Sequence, residues 1–419
     1  MITDWKIKVA GAALLALPCA LQAAGAGKGT GDNAPGATVQ DLLEWVEQHN
    51  PELAAMQYET EAAAARVQPA GALPDPTFRV EGQDLFSKDD FPVSIKYTVA
   101  QTLPLWGKRD LKREVAEAGV EQARARQRAV AAELRAKVKT GFAQYYRAWH
   151  AAALTDEMLL LLREIENLVR TRYANGLTPQ QNVLKAQAEQ TTLRADRVTL
   201  DAEQRQARAR LNALLSRPAT APLAEPRTLP ELPKSALPAD LEERVRQTNP
   251  LLLAQSAQIT AAEQTQRLVE KNRYPDLTVG VSPIQSQGQL NRWELMLEVN
   301  IPLQQETRRS QEAEAAALLA AARTRQEANA NQVLGELQEA LDALEAARRQ
   351  ANLLKTNLLP QTELAFQSAL IGYRTGGVDF PTLLEAQRQI RKARLDYLNA
   401  QIEQQLRLAE IERLVGQEL

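Results

Sequence analysis

Between Pro69 and Pro104 the apolar positions change from helical spacing to strict alternation. Val93, Ile95, Tyr97 and Val99 fall on one side of an extended chain, and Ser94, Lys96 and Thr98 on the other. Phe78 and Val80 begin a partner strand, with Ser87-Lys88-Asp89-Asp90 as a polar turn between them. The pattern recurs later, where Leu277, Val279 and Val281 lead out and Trp293, Leu295, Leu297, Val299 and Ile301 return against Glu294, Glu298 and Asn300. Each hairpin is followed by a helical period. From Trp106 to about Arg172 there is no proline, and Ala, Leu, Glu, Arg and Gln fill most positions, which predicts a helix of roughly 100 Å. Asn175-Gly176-Leu177-Thr178-Pro179 turns the chain, and a helix from about Gln180 to Leu215 brings it back. In the second half a helix is expected from about Gln304 to Ile371, then a turn at Gly376-Gly377. The return helix carries Ile390, Leu395, Leu398, Ile402 and Leu406 at three-and-four spacing.

The two halves share landmarks in the same order. His49-Asn50-Pro51-Glu52-Leu53 is echoed by Thr248-Asn249-Pro250-Leu251-Leu252, and Leu73-Pro74-Asp75-Pro76-Thr77 by Tyr274-Pro275-Asp276-Leu277-Thr278. Gln101-Thr102-Leu103-Pro104-Leu105 matches Val299-Asn300-Ile301-Pro302-Leu303, and Tyr173-Ala174-Asn175-Gly176 matches Tyr373-Arg374-Thr375-Gly376. Four such matches at nearly one offset indicate internal duplication. The expected fold is mainly α with a membrane β part, built as two tandem repeats that each pair a β-hairpin with a long antiparallel helical hairpin. Repeat 1 spans 38–216, with strands at about 77–103 and a helical hairpin at about 105–216. Repeat 2 spans 239–419, with strands at about 277–301 and a helical hairpin at about 304–416. A Pro-rich linker, 217–238, joins them.

Composition agrees with long packed helices, since aromatic residues make up only 5% of the 419. The net charge of -2, with both signs interspersed, offers no basic stripe for nucleic acid. At the N-terminus Lys6 and Lys8 precede an apolar run from Val9 to Leu21, and Ala24-Gly25-Ala26 supplies a small-x-small cleavage pattern. Residues 1–26 therefore read as an export signal, with a flexible Gly-rich segment over 27–37. The apolar run is too short for the roughly twenty residues of a spanning helix. Cys19, the only cysteine, lies inside the signal behind Pro18, which disfavours lipidation. The mature chain then has neither disulfide nor thiolate metal site.

A strand with one apolar face either packs on a soluble core or faces lipid. Export, strands of about ten residues, and the lack of any second strand-rich segment favour lipid for Val93, Ile95, Tyr97, Val99, Trp293, Leu295, Leu297 and Val299. Four strands cannot close a transmembrane barrel, so several chains must share one: two would give eight strands and three would give twelve.

With these features the chain resembles the TolC-like outer membrane factors of Gram-negative efflux and secretion systems. The resemblance spans about Thr38 to the C-terminus. It rests on the duplicated order, the Asn-Pro breaks, the strand-to-helix passage Gln101-Thr102-Leu103-Pro104-Leu105-Trp106-Gly107-Lys108-Arg109, and the tip motifs Tyr173, Gly176, Leu184, Ala186 and Tyr373, Gly376, Leu384, Ala386. It implies a homotrimer with a twelve-stranded barrel in outer-membrane lipid and a helical tunnel through the periplasm, coupled to a periplasmic adaptor and an inner-membrane transporter. The family's tunnel closes at its periplasmic end, and in its best-known member an acidic pair three residues apart lines the constriction. Alignment on the second tip places those positions at Thr382 and Glu385, so only Glu385 keeps the carboxylate; Asp379 is a further candidate, with a turn-forming role as its alternative. Gly176 and Gly376 supply the positive torsion that ends a helix. With Tyr173 and Tyr373 they would meet the adaptor's helical hairpins, unless the tyrosines pack the tip instead.

Catalytic chemistry finds no support. His49 and His150 are the only histidines and are not at ligand spacing, and there is neither a phosphate-binding glycine loop nor a nucleophile elbow. No cofactor, resident metal or nucleic acid is expected, and the chain reads as a passive duct. The Leu103-Pro104-Leu105-Trp106-Gly107-Lys108-Arg109 passage and the end at Leu419 resemble the branch that serves heavy-metal efflux by resistance-nodulation-division pumps. Drug or organic-solvent export and type I secretion are the alternative cargoes. A periplasmic adaptor or a coiled-coil scaffold is the alternative of another class, against which stand the two hairpins and the Trp293 to Ile301 alternation.

Overall fold

The computed structural model describes residues 34–83, 94–233 and 240–419, and Pro35–Leu419 form one unit. The expected signal over 1–26 with Cys19, most of the flexible segment, the turn Ser87–Asp90, Val93 and the end of the linker lie outside the described residues.

Strands β1 (Thr77–Gln83), β2 (Ser94–Leu103), β3 (Asp276–Ser286) and β4 (Gln289–Asn300) form one antiparallel sheet in the order β1-β2-β3-β4. The hairpins of the two repeats are thus joined edge to edge, with Ala100 opposite Gly280 and Thr102 opposite Thr278. Gln287 and Gly288 both have positive φ, as the two-residue turn between β3 and β4 requires.

The helices build a wall of four columns. Helix α2 (Pro51–Ala65) packs on α4 (Lys108–Ala174), α4 on α7 (Pro250–Lys271), and α7 on α8 (Gln305–Leu353). Farther from the sheet, α5 (Gln180–Leu214) lies on one side of α4 and α10 (Phe380–Val415) on the other, with α9 (Leu359–Thr375) beyond α10. At 67 residues, α4 is about 100 Å long. The short helices α1 (Val39–His49), α3 (Val67–Gly71) and α6 (Leu241–Thr248) pack against this wall.

The Asn-Pro landmarks, read from sequence as breaks, are joints. The Asn50 side chain accepts from Glu52 N at 2.8 Å, capping α2, while its amide donates to the Leu214 carbonyl at 2.9 Å, the free C-terminal end of α5. Asn249 does the same for α7 and α10, accepting from Leu252 N and donating to the Leu414 carbonyl at 2.8 Å. One side chain thereby satisfies the unpaired donors of one helix and an unpaired acceptor of another, so α5 continues α2 and α10 continues α7. Proline at the first helical position costs nothing there. At the second joint Gly416 has φ +77°, and a Cβ would lie 2.9 Å from the Pro250 ring.

Replacing Asn249 by Ala should destabilise the protein by about 2–3 kcal/mol, since it loses the cap and strands a buried carbonyl. Asn249→Asp, which keeps the acceptor but not the donor, should fall between. Thermal melting of the detergent-extracted protein by circular dichroism checks the ranking, and equal melting of Asn249→Ala and wild type would refute the joint.

The second long helix corrects the expectation of one uninterrupted run from Gln304 to Ile371. Leu354–Leu358 form a π turn between α8 and α9. Pro360 lacks an N–H, and in a regular helix its ring would meet the carbonyl four residues back, so the wider turn accommodates it. No proline falls within α4, which is unbroken.

Candidate membrane face and tunnel tip

Alternation sorts the sheet into two chemically distinct faces. Phe78 and Val80, Tyr97 and Val99, Val279 and Val281, and Trp293, Leu295, Leu297 and Val299 share one face, as their register requires. Leu295 is 88% exposed, and Trp293, Leu297 and Phe78 are also largely bare. A contiguous exposed apolar sheet face of this kind marks contact with lipid or protein. Ile95 and Tyr97, also expected on it, are half-buried, and the Tyr97 hydroxyl donates to Gln285 at 3.1 Å. The opposite face is polar and paired: Thr98 with Ser282 at 2.9 Å, Thr102 with Thr278 at 3.0 Å, and Lys96 with Glu294 at 2.7 Å. Among the described residues no helix is long and apolar enough to cross a membrane.

The passage from sheet to wall is held by residues the sequence reading noted only as motif. Trp106 and Gly107 take positive φ, and the Trp106 indole donates to the Pro275 carbonyl at 2.8 Å and packs on Tyr274. The ammonium of Lys108 is buried, donating to the Tyr274 carbonyl at 2.9 Å and to Asp276 at 2.8 Å. The exit of repeat 1's hairpin is thus bonded to the entry of repeat 2's.

At the far end the chain reverses twice. Gly176, φ +68°, follows α4, and Gly376, φ +86°, ends α9. The tip tyrosines differ. Tyr373 is 3% exposed, edge-on to Phe380 and under the Arg172 guanidinium, whereas Tyr173 is 44% exposed. Only Tyr173 of the pair presents surface.

Of the three constriction candidates, two form the turn. Asp379 caps α10, accepting from Thr382 N at 3.1 Å. Bonds from the Thr382 hydroxyl and N–H hold its carboxyl below the ordinary carboxylate value. A lowered value means the charged cap persists above the ordinary range and is lost only as pH falls through the lowered value, so it stays charged through neutral pH. Glu385, one turn on, is exposed; it accepts the Gln389 amide at 3.2 Å and has no ion pair among the described residues.

Less visible in sequence is a set of arginines that ties the second tip hairpin to the first. Arg388 of α10 donates to Glu189 of α5 at 2.5 and 3.0 Å, and this bonding raises Arg388 above its ordinary value. Arg391 donates to Asp196 of α5 at 2.9 Å, and Arg394 to Glu157 of α4 at 2.7 Å. Arg172, at the end of α4, donates to the Tyr373 and Arg374 carbonyls. Beneath them one apolar cluster joins Leu162, Ile165 and Leu193 to Phe366, Phe380 and Leu383. The signal available in sequence was Arg388, Arg391 and Arg394 at three-residue steps, with Glu189 and Asp196 seven apart on the facing helix.

No three potential metal-ligating side chains gather among the described residues. His49 stacks on Trp45 and His150 on Tyr146, each with Nδ1 near a carbonyl of its own helix.

Comparison with known proteins places this architecture. The family model described as outer membrane efflux protein matches twice, over residues 42–217 and 241–417. The cobalt-zinc-cadmium resistance protein CzcC of Cupriavidus metallidurans is 26% identical over 385 residues, 90% of each chain. The solved structure of CusC superimposes with a TM-score of 0.80 at 18% identity, covering 91% of this chain and 92% of that one. The outer-membrane channel OprN gives 0.79 at 22% identity, covering 90% and 89%. The open state of the Neisseria gonorrhoeae MtrE channel gives 0.79 at 20%, covering 91% and 89%.

Proposed function

This chain belongs to the outer membrane efflux protein family, and from that premise we propose that three copies close into one duct that carries heavy-metal cations out of the cell. The family's channels are non-enzymatic ducts of the outer membrane with a helical extension in the periplasm, and they serve tripartite pumps. The observation that carries closure is that sheet and wall are open at the same two edges. β1 and α2 bound one side and β4 and α8 the other, in one order, so a neighbouring copy meets unpaired strand with strand and bare helix with helix. With four strands per chain, three copies give twelve.

The bare face from Phe78 to Val299 then meets lipid, and the face carrying Lys96, Glu294 and Glu298 lines water. Residues 1–26 direct export, and the repeats 38–216 and 239–419 each supply one hairpin of strands and one of helices. Tyr173, Gly176 and Gly376 lie where a periplasmic adaptor would dock, with an inner-membrane resistance-nodulation-division transporter behind it. Three copies of Glu385 around the narrow end would attract cations without binding them tightly.

Metal cargo is supported by the likeness to CzcC, a cobalt-zinc-cadmium resistance protein. The test is growth of a deletion strain on copper, silver, zinc, cobalt, cadmium and nickel salts beside dyes and antibiotics, complemented by wild type or Glu385→Ala. Selective metal sensitivity, cured by the wild-type gene and poorly by Glu385→Ala at equal abundance, is expected. Sensitivity to organic compounds alone would replace the metal cargo with an organic one and leave the duct standing.

A further inference from the structure

We infer that the seam between copies is set by a specific ion pair, Arg79 of one protomer with Glu298 of the next, at one definable register; this rests on the ring closure proposed above. Both residues lie on the polar face of an open edge strand, Arg79 opposite Thr98 and Glu298 opposite Thr278. Among the described residues the only ion-pair partner of Arg79 is Glu81, two residues along its own strand at 3.4 Å, and the Arg79 side chain is largely exposed while that of Glu81 is partly so. Glu298 is exposed and has no ion pair among the described residues.

The register follows from how the strand ends step. Thr77, where β1 begins, lies level with Ala100, Gly280 and Met296 across the sheet. Yet β4 continues four residues farther, to Asn300. Identical copies keep the helix-side rim level when the next copy's Thr77 sits beside Asn300. That places Glu298 directly opposite Arg79, and Met296 opposite Glu81. An even step keeps both faces continuous, with Val299 beside Phe78 and Leu297 beside Val80. One residue of stagger per strand tilts the strands by about 35°, which is within the range of closed barrels.

Charge selects among the even steps. Two residues more would set Glu298 against Glu81, and like charges directly opposite destabilise a strand pair. Two residues fewer would face Arg79 with Met296 and leave Glu298 beside Thr77. Among the steps that tilt the strands, only the step of four puts opposite charges in a directly opposed pair, where Cβ atoms lie about 4.5–5.5 Å apart. With no step Arg79 would face Glu294 and Glu81 would face Arg292, but the strands of a closed barrel must tilt.

Disulfide trapping tests the register, because the chain's only cysteine is Cys19, inside the proposed export signal. The full-length double variant Arg79→Cys, Glu298→Cys, oxidised in isolated membranes, should yield covalent dimers and trimers that reductant collapses. Glu81→Cys, Glu298→Cys should give little. Native mass spectrometry of the detergent-extracted wild type reads the copy number separately. A wild-type trimer whose Glu81→Cys, Glu298→Cys variant links instead, or in which neither pair links, would overturn the seam and leave the ring intact. A monomer would overturn both. As a second readout, Arg79→Glu and Glu298→Arg singly should lower the temperature at which the oligomer dissociates. Combined, they should restore it, which a merely local role for either residue would not produce.

Discussion

Substituting Leu295 by Arg should remove the protein from the outer-membrane fraction. Leu295 is 88% exposed in the middle of β4, flanked on its face by Trp293, Leu297 and, across the strand pair, Val281. If that face meets lipid, a guanidinium near the bilayer midplane costs about 2–4 kcal/mol. Each copy in a ring of three carries the cost, so the assembled barrel is penalised threefold. The Leu295→Phe variant, which keeps the surface apolar, should assemble normally. Quantitative immunoblotting of fractionated membranes reads both. Normal amounts of Leu295→Arg in the outer membrane would show that this face does not meet the hydrocarbon.

Legibility followed from how local the physics was. The strands were readable because a face that must stay apolar repeats every second residue, and Trp293 to Val299 do so against Glu294 and Glu298. The tips were readable because a helix reversal requires a positive torsion, which Gly176 and Gly376 supply. What escaped was long-range. Asn50 and Asn249 looked like helix breaks because their partners, the Leu214 and Leu414 carbonyls, are more than 160 residues away. Lys108 belonged to a motif, but its burial against Tyr274 and Asp276 appears only once the two hairpins share a sheet. The π turn before Pro360 is not legible locally, because helix-forming composition outweighs one proline, whereas the backbone must yield at Leu354–Leu358. Among the constriction candidates, Asp379 and Thr382 proved to be bonded to each other at the turn. That bonding draws attention from an acidic ring to the arginines around it.

Those arginines carry the second large expectation. Changing Arg388 and Arg391 together to Ala should convert a closed duct into a leaky one. Glu189, the partner of Arg388, has a side chain only 5% exposed, so removing the guanidinium leaves a buried carboxylate without its counter-charge. Breaking a fully buried pair costs about 3–5 kcal/mol, but the Arg388 side chain is half exposed, and a solvent-exposed pair is worth only about 0.2–1 kcal/mol. An intermediate value of about 1–2 kcal/mol for this pair, with a smaller term for Arg391–Asp196, would shift each tip's closed-to-open ratio by roughly ten- to a hundredfold. Closure also rests on the apolar cluster around Ile165, Leu193, Phe380 and Leu383, which the substitutions leave in place, so the tip should loosen without unfolding. Purified protein in planar bilayers should show higher conductance than wild type, and cells should become sensitive to a bulky hydrophilic antibiotic that the outer membrane normally excludes. The exchange Glu189→Arg, Arg388→Glu rebuilds one of these ion pairs with its polarity reversed and should restore low conductance. Wild-type conductance from the double Ala variant, assembled at normal abundance, would mean that the apolar cluster alone holds the tip shut and that the arginines only solvate it.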